Sequence, residues 1–258
     1  MMDKEIYISS FFSIRPSTDG EPDYREVIPN ANMRRRMGRI VRLSVASALK
    51  CLENVPGRIP DGVLTATALG CLEDSEKFAS EIMAREESML NPTSFIYSTF
   101  NTVGGQIALM EGLKTYNSTF VNGAASFSDA LLDACLLVGE GRHNVLVLAF
   151  DEIIPTSKAV LERMGRFSPG SEGAVAFLIS DTPSESCPCR ISRFSPAAAP
   201  VWGERPLLSG SIESAFLLAR EVGRLCSGTA SREVSLPSSG TASREVSLPS
   251  LDIVIERI

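Results

Sequence analysis

Residues 145–150 (VLVLAF) and 174–180 (AVAFLIS) are strand-length runs with almost no polar residue. A strand that shows one face to water alternates apolar with polar, so a run lacking that alternation belongs at the centre of a sheet covered on both faces. Strand-like and helix-like stretches alternate around these two. Strands are expected at 4–10, 63–68, 115–121 and 251–256. Helices are expected at 75–89, from Ser126 to the Gly139/Gly141 stop, and at 209–226. Residues 95–113 read as one helix or two, interrupted at Asn101 and at Gly104 and Gly105. This rhythm predicts an α/β fold in layers, with helices on both faces of the sheet.

Asn32 is placed to cap a further helix on which Met33, Met37, Ile40, Val41, Val45, Ala48 and Leu52 recur at helical spacing. Arg34, Arg35, Arg36, Arg39 and Arg42 fall on its other face. Five guanidiniums in an acidic chain suit the docking of an acidic partner, since complementary charge speeds encounter. The same face is also what a solvated or ion-paired helix presents.

At 258 residues, 44% apolar and 22% charged, the chain can bury a full core as one domain over 1–258. With 31 acidic against 25 basic side chains, a net charge of −6 argues against a nucleic-acid binder. No run approaches the ~20 apolar residues of a bilayer span, and the first residues match neither a secretory leader nor an anchor. The six cysteines show no C-x-x-C spacing, so the expectation is a cytoplasmic protein without metal or cofactor. Cys187 and Cys189 flank Pro188 and read as two loop thiols, short of ligands for an ion.

Residues 227–238 (SGTASREVSLPS) recur unchanged at 239–250. Two such short units cannot build a solenoid, which needs ~3 or more stacked repeats. The 227–250 segment therefore reads as a duplicated surface loop, cheap to lengthen because each doubling costs only about 0.6 kcal/mol in closure entropy.

Between residues 118 and 134 a β-rich run breaks on small residues into a helix (STFVNGAASFSDALLDA). Ser126 and Asp129 stand in the S-x-x-D relation of a helix N-terminus, with Phe127, Ala130, Leu131, Ala134 and Val138 on the core face. Ala124 occupies the tip of the turn. A hydrolase or decarboxylase built on Ser126, Asp151 or Glu152 is disfavoured, because there is no G-x-S-x-G elbow and His143 is the single histidine of the chain.

Several segments in order resemble the N-terminal domain of a β-ketoacyl synthase of the thiolase fold, covering most of 30–180. They are Arg35-Arg36-Met37, Ala66-Thr-Ala-Leu-Gly70, Asn101-Thr-Val-Gly-Gly-Gln-Ile-Ala108, Thr119-Phe-Val-Asn-Gly-Ala-Ala-Ser126, Gly141 to Glu152 and Gly170-Ser-Glu-Gly-Ala174. The resemblance implies a thiolase-like layered fold, the N-terminal half of a ketosynthase, with a mixed sheet. It also implies an acyl-accepting cysteine at position 124, where a thiol at a helix N-terminus is activated. Here that residue is Ala124, and the family's catalytic histidine pair has no counterpart; His143 reads as a loop residue before the next strand.

The chain is thus similar to the short chain-length-factor-like subunits of aryl polyene-type pathways. That likeness implies a non-catalytic subunit that pairs with an active β-ketoacyl synthase in fatty acid or polyketide biosynthesis, receives an acyl carrier protein and shapes the acyl tunnel. The alternatives are a free-standing homodimer that binds acyl groups or carrier protein, and an acyltransferase or hydrolase using Ser126. By the same resemblance the strand at 115–122 is the pairing edge. Phe95, Tyr97, Phe100, Asn101, Asn122, Ala124 and Phe127 are the candidates for interface and tunnel, with core packing the competing role for the aromatic residues.

Overall fold

The computed structural model describes residues 4–85, 90–165, 167, 169–196, 211–227 and 242–258. In chain order its elements are β1 (Ile6–Ile14), α1 (Pro16–Asp19), α2 (Tyr24–Val27), α3 (Ala31–Arg36), α4 (Arg39–Glu53), β2 (Gly62–Ala66), α5 (Leu72–Arg85), α6 (Pro92–Ser98) and α7 (Thr102–Met110). There follow β3 (Tyr116–Phe120), a 3-10 turn at Gly123–Ala125, α8 (Ser126–Gly139), β4 (Asn144–Asp151), α9 (Pro155–Arg163), β5 (Gly173–Ser180), β6 (Cys189–Pro196), α10 (Ser211–Cys226), β7 (Ser243–Ser247) and β8 (Leu251–Arg257).

The eight strands form one mixed sheet in the order β3-β2-β4-β5-β1-β6-β8-β7. Strands β3, β2 and β4 run parallel, joined by helical crossovers, and the remaining pairs are antiparallel. As their unbroken apolar runs require, β4 and β5 sit inside. Val145, Val147 and Ala149 face a core closed by α8 and α10, while Leu146, Leu148 and Phe150 face one closed by α4 and α7. Each large side chain so buried contributes about 1.5–3 kcal/mol, which makes the two-sided core the main source of stability.

Three expectations change. The arginine-bearing segment is two helices: Asn30, not Asn32, caps α3 through its Oδ1 to the amides of Asn32 and Met33, and the chain breaks at Met37 and Gly38 before α4. A Cβ at Gly38 would run into the Asp74 carboxylate, so the break lets α5 approach closely. Gly104 and Gly105 lie inside α7, and the interruption falls at residues 99–101.

The second copy of the duplicated segment is not all loop. Its residues 243–247 form β7, paired antiparallel to β8, and Val246 and Leu248 are buried in the core beneath. Those two positions alternate with polar ones, a half-buried strand pattern that the serines disguise. Pro249 and Ser250 make the hairpin, closed by paired backbone hydrogen bonds between Leu248 and Leu251. The first copy lies outside the described residues, apart from Ser227.

Candidate functional site

Because β2, β3 and β4 are parallel, their C-terminal ends open on one side of the sheet. There Gly123, at φ +54°, takes a left-handed conformation suited to glycine and turns the chain from β3 into α8. Ala124 follows, half-buried, in the 3-10 turn that meets the helix N-terminus. An Ala methyl offers no group to attack a carbonyl.

Ser126 is fully buried and committed. Its Oγ accepts from the Asn122 amide at 2.7 Å, and its single O–H is shared between the carbonyls of Thr67 at 2.9 Å and Gly123 at 2.8 Å. It is therefore a brace between the loop after β2 and the turn. It is not the expected cap either: the residue before α8 is Ala125, with no side-chain bond to the helix. Asp129 accepts instead from Asn122 Nδ2 at 2.8 Å and Ser250 Oγ at 2.5 Å, and the Ser250 and Ser128 hydroxyls meet at 2.6 Å. The hairpin after β7 is thereby tied to the start of α8.

Two carboxylates stand behind the turn. Asp151 ends β4, and its Oδ1 accepts from Thr67 Oγ1 at 2.6 Å and from the amides of Ala68 and Leu69 at 2.9 and 2.8 Å. Burial still pushes it up to about 6, because withdrawal from water outweighs those hydrogen bonds. Glu152 accepts from the Glu73 amide at 2.9 Å, and burial, with the nearby charges of Glu73 and Asp74, raises it to about 7. Both fix backbone on neighbouring segments.

A pH dependence follows. The unfolded Glu152 side chain ionises near 4.5 and the folded one near 7. The folded state thus holds a proton that the unfolded state has lost. This stabilising contribution is full below 4.5 and disappears as pH rises through 7. Glu152→Gln keeps the acceptor and removes the buried charge, so at pH 8 it should raise stability by ~1–2 kcal/mol. Denaturant melts from pH 4.5 to 8 should slope less steeply for the variant, with Asp151 sustaining the remainder. Parallel curves for the two proteins would disprove this role for Glu152.

His143 lies at the start of β4, at the opposite end of the strand from the turn. Eight residues at ~3.3 Å each put it about 25 Å away. It is exposed, with Nδ1 2.7 Å from Asp181 Oδ2, so it cannot serve the Ala124 turn. Two surface clefts, of 390 Å³ beside Arg15 and Phe216 and of 470 Å³ beside Arg58 and Glu111, do not border that turn.

The seven interface and tunnel candidates separate. Phe95 and Phe100 are about half exposed, the first with its ring 5.3 Å from Phe78. Asn101 and Asn122 are exposed at the starts of α7 and of the turn. Tyr97 and Phe127 are buried in cores on opposite faces of the sheet, where both pack as core side chains. The helix α7 lies close on β3: Asn117 Nδ2 donates to the Gly104 carbonyl at 2.9 Å, and a Cβ at Gly104 would meet the Asn117 side-chain oxygen.

The arginines separate as well. Arg39 holds Glu172 by two bonds of 2.9 and 3.2 Å and Glu21 at 2.6 Å, which raises its own pKa further. Arg34 donates to the carbonyls of Ile28 and Pro29, Arg35 to the Ala31 carbonyl and to Asn32 Oδ1, and Arg42 lies over the Tyr24 ring. Arg35 and Arg36 are the exposed pair.

The cysteines hold one surprise. Burial pushes Cys51 and Cys135 up to about 12 and raises Cys71 likewise. Cys187 and Cys189, expected as loop thiols, are buried and meet Cys226 from the end of α10, with Sγ separations to it of 3.4 and 3.6 Å. Their hydrogen bonds lower the Cys226 thiol, and the charge of Arg257 adds to the effect.

A strand–turn–helix at the C-terminal ends of parallel strands, in a mixed sheet with helices on both faces, is the thiolase-like ketosynthase fold. The family model for the beta-ketoacyl synthase N-terminal domain matches residues 15–201, and the chain belongs to that family. Solved structures share the fold. A ketosynthase (ApeO) in complex with its chain length factor (ApeC) from Xenorhabdus doucetiae aligns over 98% of this chain and 99% of that one, at 19% identity and a TM-score of 0.65. The ishigamide ketosynthase/chain length factor aligns over 98% and 99%, at 13% identity and 0.69. A type II polyketide synthase complex of acyl-carrier protein and ketosynthase, AntDE:AntF, aligns over 99% and 100%, at 12% identity and 0.77. Curated protein sequences give no match. Among the described residues no helix is long and apolar enough to cross a membrane.

Proposed function

We propose that this protein is a chain-length-factor-like subunit, non-catalytic on its own, that pairs in the cytoplasm with an active β-ketoacyl synthase and helps shape its acyl tunnel. The observation that carries the reading is the β3 edge. Among the described residues it is one of the two outermost strands of the sheet, β7 being the other, and it runs into a turn that bears Ala124 in place of a nucleophile. An edge strand invites another strand, and Tyr116 at the start of β3 and Val121 just past its end are large and exposed. Phe95, Ile96, Phe100 and Leu109 on α6, α7 and the link between them are exposed too. Solved structures of this fold that contain a ketosynthase with its chain length factor support the choice of partner.

In this reading Phe95, Phe100, Asn101 and Asn122 face the partner and set the room left for an acyl chain. Arg35 and Arg36 are exposed and placed to meet an acidic acyl carrier protein. The experiment is co-expression with a candidate partner β-ketoacyl synthase from the same genome, followed by size exclusion: a one-to-one heterodimer is expected. A chain that stays homodimeric beside that enzyme overturns the proposal. Ala124→Cys in the isolated chain should leave condensation undetectable, since the thiol has no histidine within reach; measurable chain extension would contradict the non-catalytic role.

A further inference from the structure

We propose that Cys187, Cys189 and Cys226 form a binding site for a thiophilic divalent metal ion, zinc in the first instance, that pins the end of α10 to the start of β6. Their sulfurs all lie within 4.8 Å of one another. The closest separations, 3.4 and 3.6 Å, approach the ~3.8 Å edge of a tetrahedron whose centre sits about 2.3 Å from each sulfur. Soft thiolate donors select zinc over the hard cations.

The local backbone brings these donors together. The Cys189 amide donates to the Cys187 carbonyl at 2.9 Å, closing a three-residue turn centred on Pro188, whose ring fixes φ. The third donor arrives at the last residue of α10, from 37 residues beyond Cys189. Cys187 and Cys189 are buried and Cys226 is partly open, so an ion enters from the Cys226 side and keeps a fourth position for water or another ligand.

Charge also balances. Three thiolates bring −3 and zinc +2, and the Arg257 guanidinium, close enough to act on Cys189 and Cys226, supplies the remaining positive charge. On binding, each S–H loses its proton to solvent as a zinc–sulfur bond forms, and no electron is transferred. Among the described residues this is the one cluster of three or more such donors. It lies where α10 hands over to the duplicated segment, so an ion would hold the root of that segment against the sheet.

The test uses the full chain, reduced and metal-free. Titration with zinc against a chromophoric chelator should give one ion per chain, and cobalt should produce thiolate-to-metal charge-transfer absorption. Cys226→Ser, at the partly exposed position, should weaken binding at least tenfold, whereas Cys135→Ala, in the core elsewhere, should not. Without any variant, zinc should slow alkylation of Cys226. No zinc retained by the reduced chain, equal binding by Cys226→Ser, or alkylation of Cys226 indifferent to zinc would each overturn the site. So would reduced protein that forms only a disulfide at Cys226 and takes up no metal.

Discussion

Phe127→Ala should lower the melting temperature by roughly 10 °C. Phe127 is fully buried in the first turn of α8, its ring 5.6 Å from that of Phe177, which in turn lies 6.3 Å from Phe11. Removing a buried Phe costs about 3–5 kcal/mol, through lost transfer energy and the cavity left behind, and the aromatic contact adds to the loss. At ~2–4 °C per kcal/mol for a chain of this size, the shift is readily measured by thermal melts. The result also decides the role of the residue. A side chain lining a tunnel would change product length with little loss of stability, so an unshifted melt would favour the tunnel role for Phe127 over a stabilising role in the core.

How much of this was legible in the sequence depended on what each segment buries. β4 and β5 were plain because both their faces are covered. β6 escaped, since Arg190 and Arg193 interrupt Ile191 and Phe194, and its register against β8 shifts between Ile191 and Arg193. α9 buries Leu161 alone and so lacks an apolar stripe. β7 was hidden in a serine-rich repeat whose second copy has just Val246 and Leu248 to mark a strand.

The site divides in the same way. The Ala124 turn could be read because a strand, small residues and an amphipathic helix follow one another without a gap. Ser126 was misread as a cap: its oxygen is taken by the Asn122 amide and the Thr67 carbonyl, and Thr67 is a partner that only the parallel β2–β3 pairing brings near. The five arginines looked equivalent by spacing. Glu172, which claims Arg39, is 133 residues away in the chain. The cysteine trio was beyond sequence reading for the same reason, since its third member comes from another helix.

Tyr116→Lys combined with Val121→Lys should abolish pairing with the ketosynthase while the isolated chain still folds. Both residues are exposed, 42% and 45%, Tyr116 at the start of β3 and Val121 just past its end. Surface changes of this kind normally move stability by no more than ~0.5 kcal/mol, and a lysine at Tyr116 stands near the Asp133 carboxylate that the Tyr hydroxyl now faces. At the interface the balance is different. Lysines on edge strands block strand pairing, because an ammonium has to be desolvated for the partner to dock. Two aromatic or apolar anchors lost at ~2 kcal/mol each would weaken the complex by more than 100-fold. Analytical ultracentrifugation of the mixed subunits reads this directly, with melts of the isolated variant as the control for folding. Undiminished complex formation by a well-folded double variant would mean that the β3 edge is not where the partner binds, and the role proposed for the Ala124 turn would fall with it.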